Sequence, residues 1–293
     1  MAPKRLPFPT LKLLPAHPLV RYLRAAMPDP ISSPQNPRIK ALLRLQQKSA
    51  ERRQQGLTIV EGLRELTVAR AAGIAVPALY LCQELLPAGG LAELRRALTP
   101  ETEWFDVSRA VFEKVAYREG SDGVLALVRP PQRRLQDLKL PPNPLLLVLE
   151  AVEKPGNLGA VLRTADAAQA DAVIVCDPRT DIYNPNAIRS SIGCVFTVPV
   201  LATSREELLA WCRQHGIRTY AAALTPRARP YTDFDFRGPT ALVMGTEADG
   251  LTPELMQACD ETIIIPMRGT IDSLNVSTAT AVLTFEAVRQ RQG

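Results

Sequence analysis

The stretch LLLVLEAVEKPGNLGAVLRTADAAQADAVIVC (residues 145–176) decides the fold class of the second half of this 293-residue chain. Leu145–Val152 and Ala172–Cys176 are apolar almost throughout, as strands of a parallel sheet covered on both faces are. Between them, Leu158–Gln169 repeats apolar residues at helical spacing after a Pro-Gly-Asn turn. Strand, crossover helix and second strand make a βαβ unit, which predicts an α/β domain with a mostly parallel sheet. The alternation continues with a helix near Asn186–Ser191, a strand Thr197–Val200 and a helix Glu206–His215. Strands Arg218–Ala222, Ala241–Met244 and Thr262–Ile265 follow, and a helix Val276–Arg289 closes the domain, which spans 145–293.

Upstream, Arg129–Pro144 carries five prolines and four basic residues and reads as a stiffened, charged linker over 129–144. Residues 31–128 read as a smaller α/β domain. Its strands are Leu57–Val60, Ala78–Cys82, Glu103–Val107 and Gly123–Val128, with helical stretches near Leu63–Ala72, Leu91–Ala97 and Ser108–Val115. A helix over Pro34–Gln55 is entered through Asn36-Pro37; Ile39, Leu42, Leu43 and Leu45 supply apolar contacts. Arg38, Lys40, Arg44, Lys48, Arg52 and Arg53 supply charge, and such a helix can lie along a phosphate backbone, with Arg38, Lys40 and Arg44 as candidate contacts. Residues 1–30 are basic and rich in proline, lack the pattern of a signal peptide, and read as a flexible tail.

Apolar residues make up 46% of the chain and charged residues 22%, which excludes disorder of the whole. No apolar run approaches the roughly 20 residues of a membrane span. The five cysteines are odd in number, widely spaced and without a C-x-x-C pair, so neither a disulfide framework nor a metal site is expected, and a reducing cytoplasm is. His17 and His215 are the only histidines and neither has a partner at motif spacing, so histidine catalysis is not expected. The net charge of +5 is unevenly spread: residues 1–143 hold 22 Lys and Arg against 13 Asp and Glu (+9), residues 144–293 hold 13 against 17 (−4). Either the first half engages a polyanion, or the two halves simply present differently charged solvated surfaces.

There is no G-x-G-x-x-G and no Gly-Lys pair, which removes the dinucleotide and triphosphate fingerprints. Instead, three strands run at their carboxyl ends into glycine-bearing polar loops, where open α/β sheets hold ligands. The first is Pro155-Gly156-Asn157-Leu158-Gly159, with Arg163 four residues on; the second runs from Gly245 to Gly250; the third is Pro266-Met267-Arg268-Gly269, leading to Ser273-Leu274-Asn275. Each has a plain structural reading beside the chemical one. Asn157 is either a helix cap or a catalytic group, and Arg163 either a surface ion-pair residue or a substrate contact. Thr252-Pro253 is a good helix start, Asn275 can cap the last helix, and bare backbone at Gly245 can receive a flat ligand.

Taken together, Asn157–Thr164, Val243–Glu247, and Ile265-Pro266-Met267 with Ser273–Ser277 resemble the three ordered motifs of the SpoU/TrmH branch of SPOUT methyltransferases. More weakly, Asn36–Lys40 and Ile59–Gly62 resemble the ribosomal-protein-like substrate-binding domain that often precedes them. The resemblance implies a trefoil-knotted α/β domain, a homodimer, and S-adenosyl-L-methionine held in the knot loops. It further implies cofactor contacts from Gly245, Ile265 and Leu274, with Thr246, Pro266 and Met267 lining the same loops. Arg163 matches the catalytic arginine, with Asn157, Glu247, Ser273 and Asn275 around it. Glu153-Lys154 stands where many relatives carry Asp before the proline.

The expected reaction is methyl transfer to a ribose 2′-hydroxyl of a structured RNA, rRNA or tRNA. The alternatives are a base methyltransferase of the wider group and a catalytically silent RNA-binding module. A ribose hydroxyl is a poor nucleophile, so transfer requires in-line positioning and a route for its proton. Arginine is normally protonated, so Arg163 either orients an RNA phosphate and the hydroxyl or is deprotonated by its surroundings.

Overall fold

The structure is a computed structural model and describes residues 29–117, 120–246 and 249–292. The expected tail over 1–30 lies, apart from Asp29 and Pro30, outside the described residues. The first layer runs α1 (Pro37–Gln47), α2 (Ser49–Gln55), β1 (Thr58–Glu61), α3 (Leu63–Ala71), β2 (Ala75–Leu81), α4 (Gly90–Ala97), β3 (Glu103–Asp106), α5 (Arg109–Val115) and β4 (Val124–Arg129). Its sheet has the order β1-β4-β2-β3, with β2 and β3 parallel and the other neighbours antiparallel.

Asn36 starts α1 as its sequence suggests, its side chain accepting from the Arg38 amide at 2.9 Å with Pro37 at the first helical position. The single helix expected over Pro34–Gln55 is instead two, because Lys48 is extended at φ −114°, ψ 112°. The break turns Arg52 under the end of α1, where its Nη1 donates to the Leu45 and Gln46 carbonyls at 2.6 and 3.1 Å. Arg52 is therefore no solvent-facing cation: it is 5% exposed, with Nε 2.6 Å from Asp181 Oδ2 in the second half of the chain. Removing one partner of such a buried pair strands the other, so Arg52→Ala is expected to lose about 3 kcal/mol of stability, as read by urea denaturation. A loss below about 1 kcal/mol, the scale of an exposed pair, would contradict this role.

The second layer runs β5 (Leu145–Glu150), α6 (Pro155–Ala168), β6 (Ala172–Cys176), α7 (Pro185–Ser190), α8 (Cys194–Thr197), β7 (Val200–Thr203), α9 (Arg205–Gln214), β8 (Arg218–Ala222), β9 (Arg229–Pro230), β10 (Thr240–Met244), α10 (Pro253–Ala258), β11 (Glu261–Ile264) and α11 (Val276–Gln292). The seven strands take the order β7-β6-β5-β10-β8-β11-β9, and every neighbouring pair is parallel. The strand expected at Thr197–Val200 begins only at Val200. Before it, the α8 turn sends the adjacent Val195 and Phe196 both into the core, which an alternating strand does not do.

One cluster of buried residues contains Val60, Leu66 and Leu79 of the first layer together with Leu147, Leu162 and Phe196 of the second. Thr58 Oγ1 adds a 2.6 Å bond to the Tyr183 carbonyl across the junction. The segment expected as a linker is also pinned, with Leu135 buried and Leu138 and Leu140 packed on the second core. Burial of this apolar surface is the main favourable term holding the halves together.

Candidate functional site

The carboxyl ends of β5, β10, β8 and β11 lie side by side, and chain order reverses between β5 and β10, which is where open parallel sheets bind ligands. A cavity of about 500 Å³ opens there, within the range of small-molecule sites. Met244, Leu251, Ile263 and Leu274 give it apolar walls, and Thr225, Thr246, Asp249 and Ser273 give it polar groups. Of the expected residues, Gly245, Thr246, Ile265, Met267, Ser273 and Leu274 line it, whereas Pro266 is exposed and does not. Ala222–Thr225, at the end of β8, were missed; the rule that ligands sit at carboxyl ends of parallel strands pointed to that strand end too.

The loop after β10 folds back on itself. The Thr246 amide donates to the Gly250 carbonyl at 2.9 Å and the Gly250 amide returns the bond at 3.1 Å, while Thr246 Oγ1 accepts from the Asp249 amide at 3.0 Å. A Cβ at Gly245 would run into the backbone of Gly250 and Leu251. That glycine is thus required by the loop's own closure, and it also lines the cavity. Glu247 lies outside the described residues. Glu150, 2% exposed at the end of β5, accepts from the Thr252 amide and hydroxyl at 2.7 and 2.6 Å. Thr252 in turn caps α10, so the buried carboxylate ties the loop to the neighbouring strand.

A second cavity of about 320 Å³ shares Gly245, Thr246 and Val276 with the first and reaches Glu153 and Lys154. At its edge, α6 begins at Pro155, three residues before the expected start, because proline is preorganised for the first helical position. Asn157 therefore sits inside the first turn and is not the cap. Its Oδ1 accepts from Asn275 Nδ2 at 3.4 Å, and its own buried Nδ2 has no partner among the described residues. Asn275 does open α11, its Oδ1 accepting from the Ser277 amide and hydroxyl at 2.9 and 2.6 Å. Ser273 Oγ donates to Asp272 Oδ1 at 3.1 Å. Gly159 serves packing: a side chain there would collide with Ser190 on α7.

Arg163 stands apart from these groups. It lines a different cavity, of about 640 Å³, between α3, α6, α8 and α11, whose walls include Arg64, Val68, Asp166, Ile192, Cys194 and Phe285. Ile192 is held there at φ 55°, a region a β-branched residue seldom enters. Burial pushes the Cys194 thiol pKa up and Asp166 adds to this, while the guanidiniums of Arg163 and Arg64 pull it down. On the first domain, Arg38, Lys40 and Arg44 occupy the exposed face of α1, with Ile39, Leu42 and Leu45 buried beneath. The Arg38 guanidinium lies 4.3 Å above the Phe105 ring. Among the described residues, no group of three or more His, Cys, Asp or Glu is placed to hold a metal, and no helix is long and apolar enough to cross a membrane.

Residues 144–285 match the SpoU rRNA Methylase family, and residues 36–126 match the MRM3-like substrate binding domain. The chain is 44% identical over 149 residues to the 23S rRNA (guanosine-2′-O-)-methyltransferase RlmB of Ralstonia nicotianae, an alignment spanning 50% of this chain and 59% of that protein. It is 40% identical over 194 residues to the RlmB of Haemophilus influenzae, spanning 64% of this chain and 78% of that protein. The crystal structure of the SpoU methyltransferase AviRb from Streptomyces viridochromogenes, in complex with the cofactor AdoMet, superposes with a TM-score of 0.82 at 28% identity, covering 88% of this chain and 99% of that one.

Proposed function

Because this chain belongs to the SpoU family of rRNA methylases, we propose that it transfers a methyl group from S-adenosylmethionine to a ribose 2′-hydroxyl of rRNA. The observation that carries this reading is the cavity at the strand ends, walled by the motif residues Gly245, Ile265 and Leu274. Its apolar walls suit an adenine, and the unpartnered Nδ2 of Asn157 at the neighbouring edge leaves a donor for a ligand atom. S-adenosylmethionine supplies an activated methyl on a sulfonium. In this reading Gly245, Thr246, Ile265, Met267 and Leu274 hold the cofactor, and Pro266 shapes the loop without lining the cavity. Asn157, Glu247, Ser273 and Asn275 orient the acceptor, and Arg163 grips the adjoining phosphate. Arginine stays protonated, so Arg163 positions the nucleophile while the hydroxyl proton leaves with the help of that phosphate.

The working unit in this reading is a homodimer. Arg163 and the Gly245 cavity are separate within one chain, and Phe285 on α11 is 47% exposed beside Arg163, so a second copy seated across α6 and α11 completes the site. A trefoil knot formed by the loops after β10 and β11, a division into domains over 31–128 and 145–293 with 129–144 between, and a cytoplasmic location belong to the same proposal. Arg38, Lys40 and Arg44 meet RNA phosphates along α1.

Gly245→Ala is expected to open the Thr246–Gly250 turn and weaken cofactor binding at least about tenfold by calorimetry, with circular dichroism unchanged, since a Cβ has no room against Gly250 and Leu251. Unaltered affinity would remove that turn from the site. The reading as a whole is tested by incubating the full chain with methyl-tritiated S-adenosylmethionine and protein-free 23S rRNA. Label should enter the RNA; a chain that neither binds the cofactor nor labels rRNA is not this enzyme.

A further inference from the structure

We propose that Arg64, on the first domain, is a phosphate-gripping residue of the same site as Arg163, so that the substrate-binding domain reaches directly into the reaction groove. This rests on the methyltransferase reading. Arg64 is the second residue of α3 and is solvent-exposed, yet it lines the 640 Å³ groove together with Arg163 from α6. Both guanidiniums also pull the Cys194 thiol pKa down, in keeping with two cations lining one groove.

Neither arginine forms an ion pair or hydrogen bond among the described residues. The one carboxylate in the groove, Asp166, has Oδ1 accepting from Thr197 Oγ1 at 3.1 Å. Asp166 offsets only part of the charge of Arg64 and Arg163, so the groove stays net positive and favours an anion beside the two guanidiniums. A guanidinium presents a planar fork of donors matched to phosphate oxygens. Other arginines nearby are committed to the protein: Arg52 to Asp181, and Arg70 to the Ala97 and Ile74 carbonyls at 3.1 and 2.7 Å. Arg64 is thus available for ligand in a way its neighbours are not.

The placement of α3 is set by the core. Leu66 and Ala69 are buried on its inner face, and Val68 packs so closely on Gly193 that a Cβ added there would lie only 3.0 Å from the Val68 Cβ. This packing against the α7–α8 turn fixes Arg64 at the groove without any contact from the Arg64 side chain itself. The ligand is the sugar–phosphate backbone of the RNA flanking the acceptor ribose, one phosphate to each guanidinium.

The experiment compares the full chain with Arg64→Ala and Arg64→Lys. RNA affinity is measured against salt with protein-free 23S rRNA, cofactor affinity by calorimetry, and kcat and KM by tritium transfer. Arg64→Ala should reduce the slope of log affinity against log salt by about 0.7–0.9 and raise the KM for RNA about tenfold, leaving cofactor affinity within about twofold. Arg64→Lys should restore the slope, because it restores the charge, and only part of the KM, because it lacks the fork. An unchanged slope and KM in Arg64→Ala overturn the proposal, as does a lysine variant that restores nothing. The salt slope is read from binding alone. If the wild-type chain labels no rRNA, the methyltransferase reading fails while the binding measurement still decides whether Arg64 meets phosphate.

Discussion

Arg163→Ala should lower methyl transfer to rRNA by about 10²–10³-fold while leaving S-adenosylmethionine affinity within a few-fold of the wild type. The two halves of this expectation come from separate cavities. The cofactor walls are assigned to Gly245, Ile265 and Leu274 at the ends of β10 and β11, whereas Arg163 faces the groove between α3, α6, α8 and α11. Loss of a charged positioning group should therefore appear in kcat and not in cofactor binding. Arg163→Lys should recover little, because a point charge does not reproduce a planar fork. Tritium transfer beside calorimetry makes the measurement. Near-normal turnover in Arg163→Ala would take this residue out of the reaction, and a parallel collapse of cofactor affinity would mean that Arg163 belongs to the cofactor site itself.

An RNA with a single 2′-deoxy substitution at the modified nucleotide should bind with nearly unchanged affinity and accept no methyl group at all. The phosphates proposed to meet Arg163 and the α1 cations are still present in that RNA, and such contacts supply most of the affinity of RNA-binding proteins. The acceptor oxygen alone is gone. A base methyltransferase loses nothing by this change, since its acceptor atom is untouched, so continued methylation of the deoxy substrate would replace ribose chemistry with base chemistry. A catalytically silent module would bind both RNAs and methylate neither, which the unmodified control separates.

The second domain was legible because its apolar strands are short, nearly continuous and punctuated by glycine and proline; β6, β8 and β10 lie where the sequence put them, to within a residue. The errors have local causes. Pro155 begins α6 earlier than its apolar repeat, and Lys48 divides α1 from α2 inside an unbroken helical pattern. Periodicity does not report where an arginine turns under a helix end, so Arg52 looked like one more surface cation until its pairing with Asp181, 129 residues away, was visible. The motif residues marked the loops well, since Gly245, Ile265, Ser273 and Leu274 do share a cavity. Helical spacing puts Asn157 and Arg163, six residues apart on α6, only loosely on one face; it could not show which cavity Arg163 faces, because α3, α8 and α11 make the other walls of that cavity. Arg64 carried no motif signal either; its place follows from α3 packing against the α7–α8 turn, a contact between domains.

The most direct test of ribose methylation by this chain is a map of 2′-O-methyl groups in total rRNA and tRNA from the source organism with and without its gene. The account predicts that the strain lacking the gene loses 2′-O-methylation in 23S rRNA. The wild-type gene should restore it, and a gene encoding Arg163→Ala should not. A loss confined to base methylation, or a ribose-methylation map identical in the two strains, would contradict it.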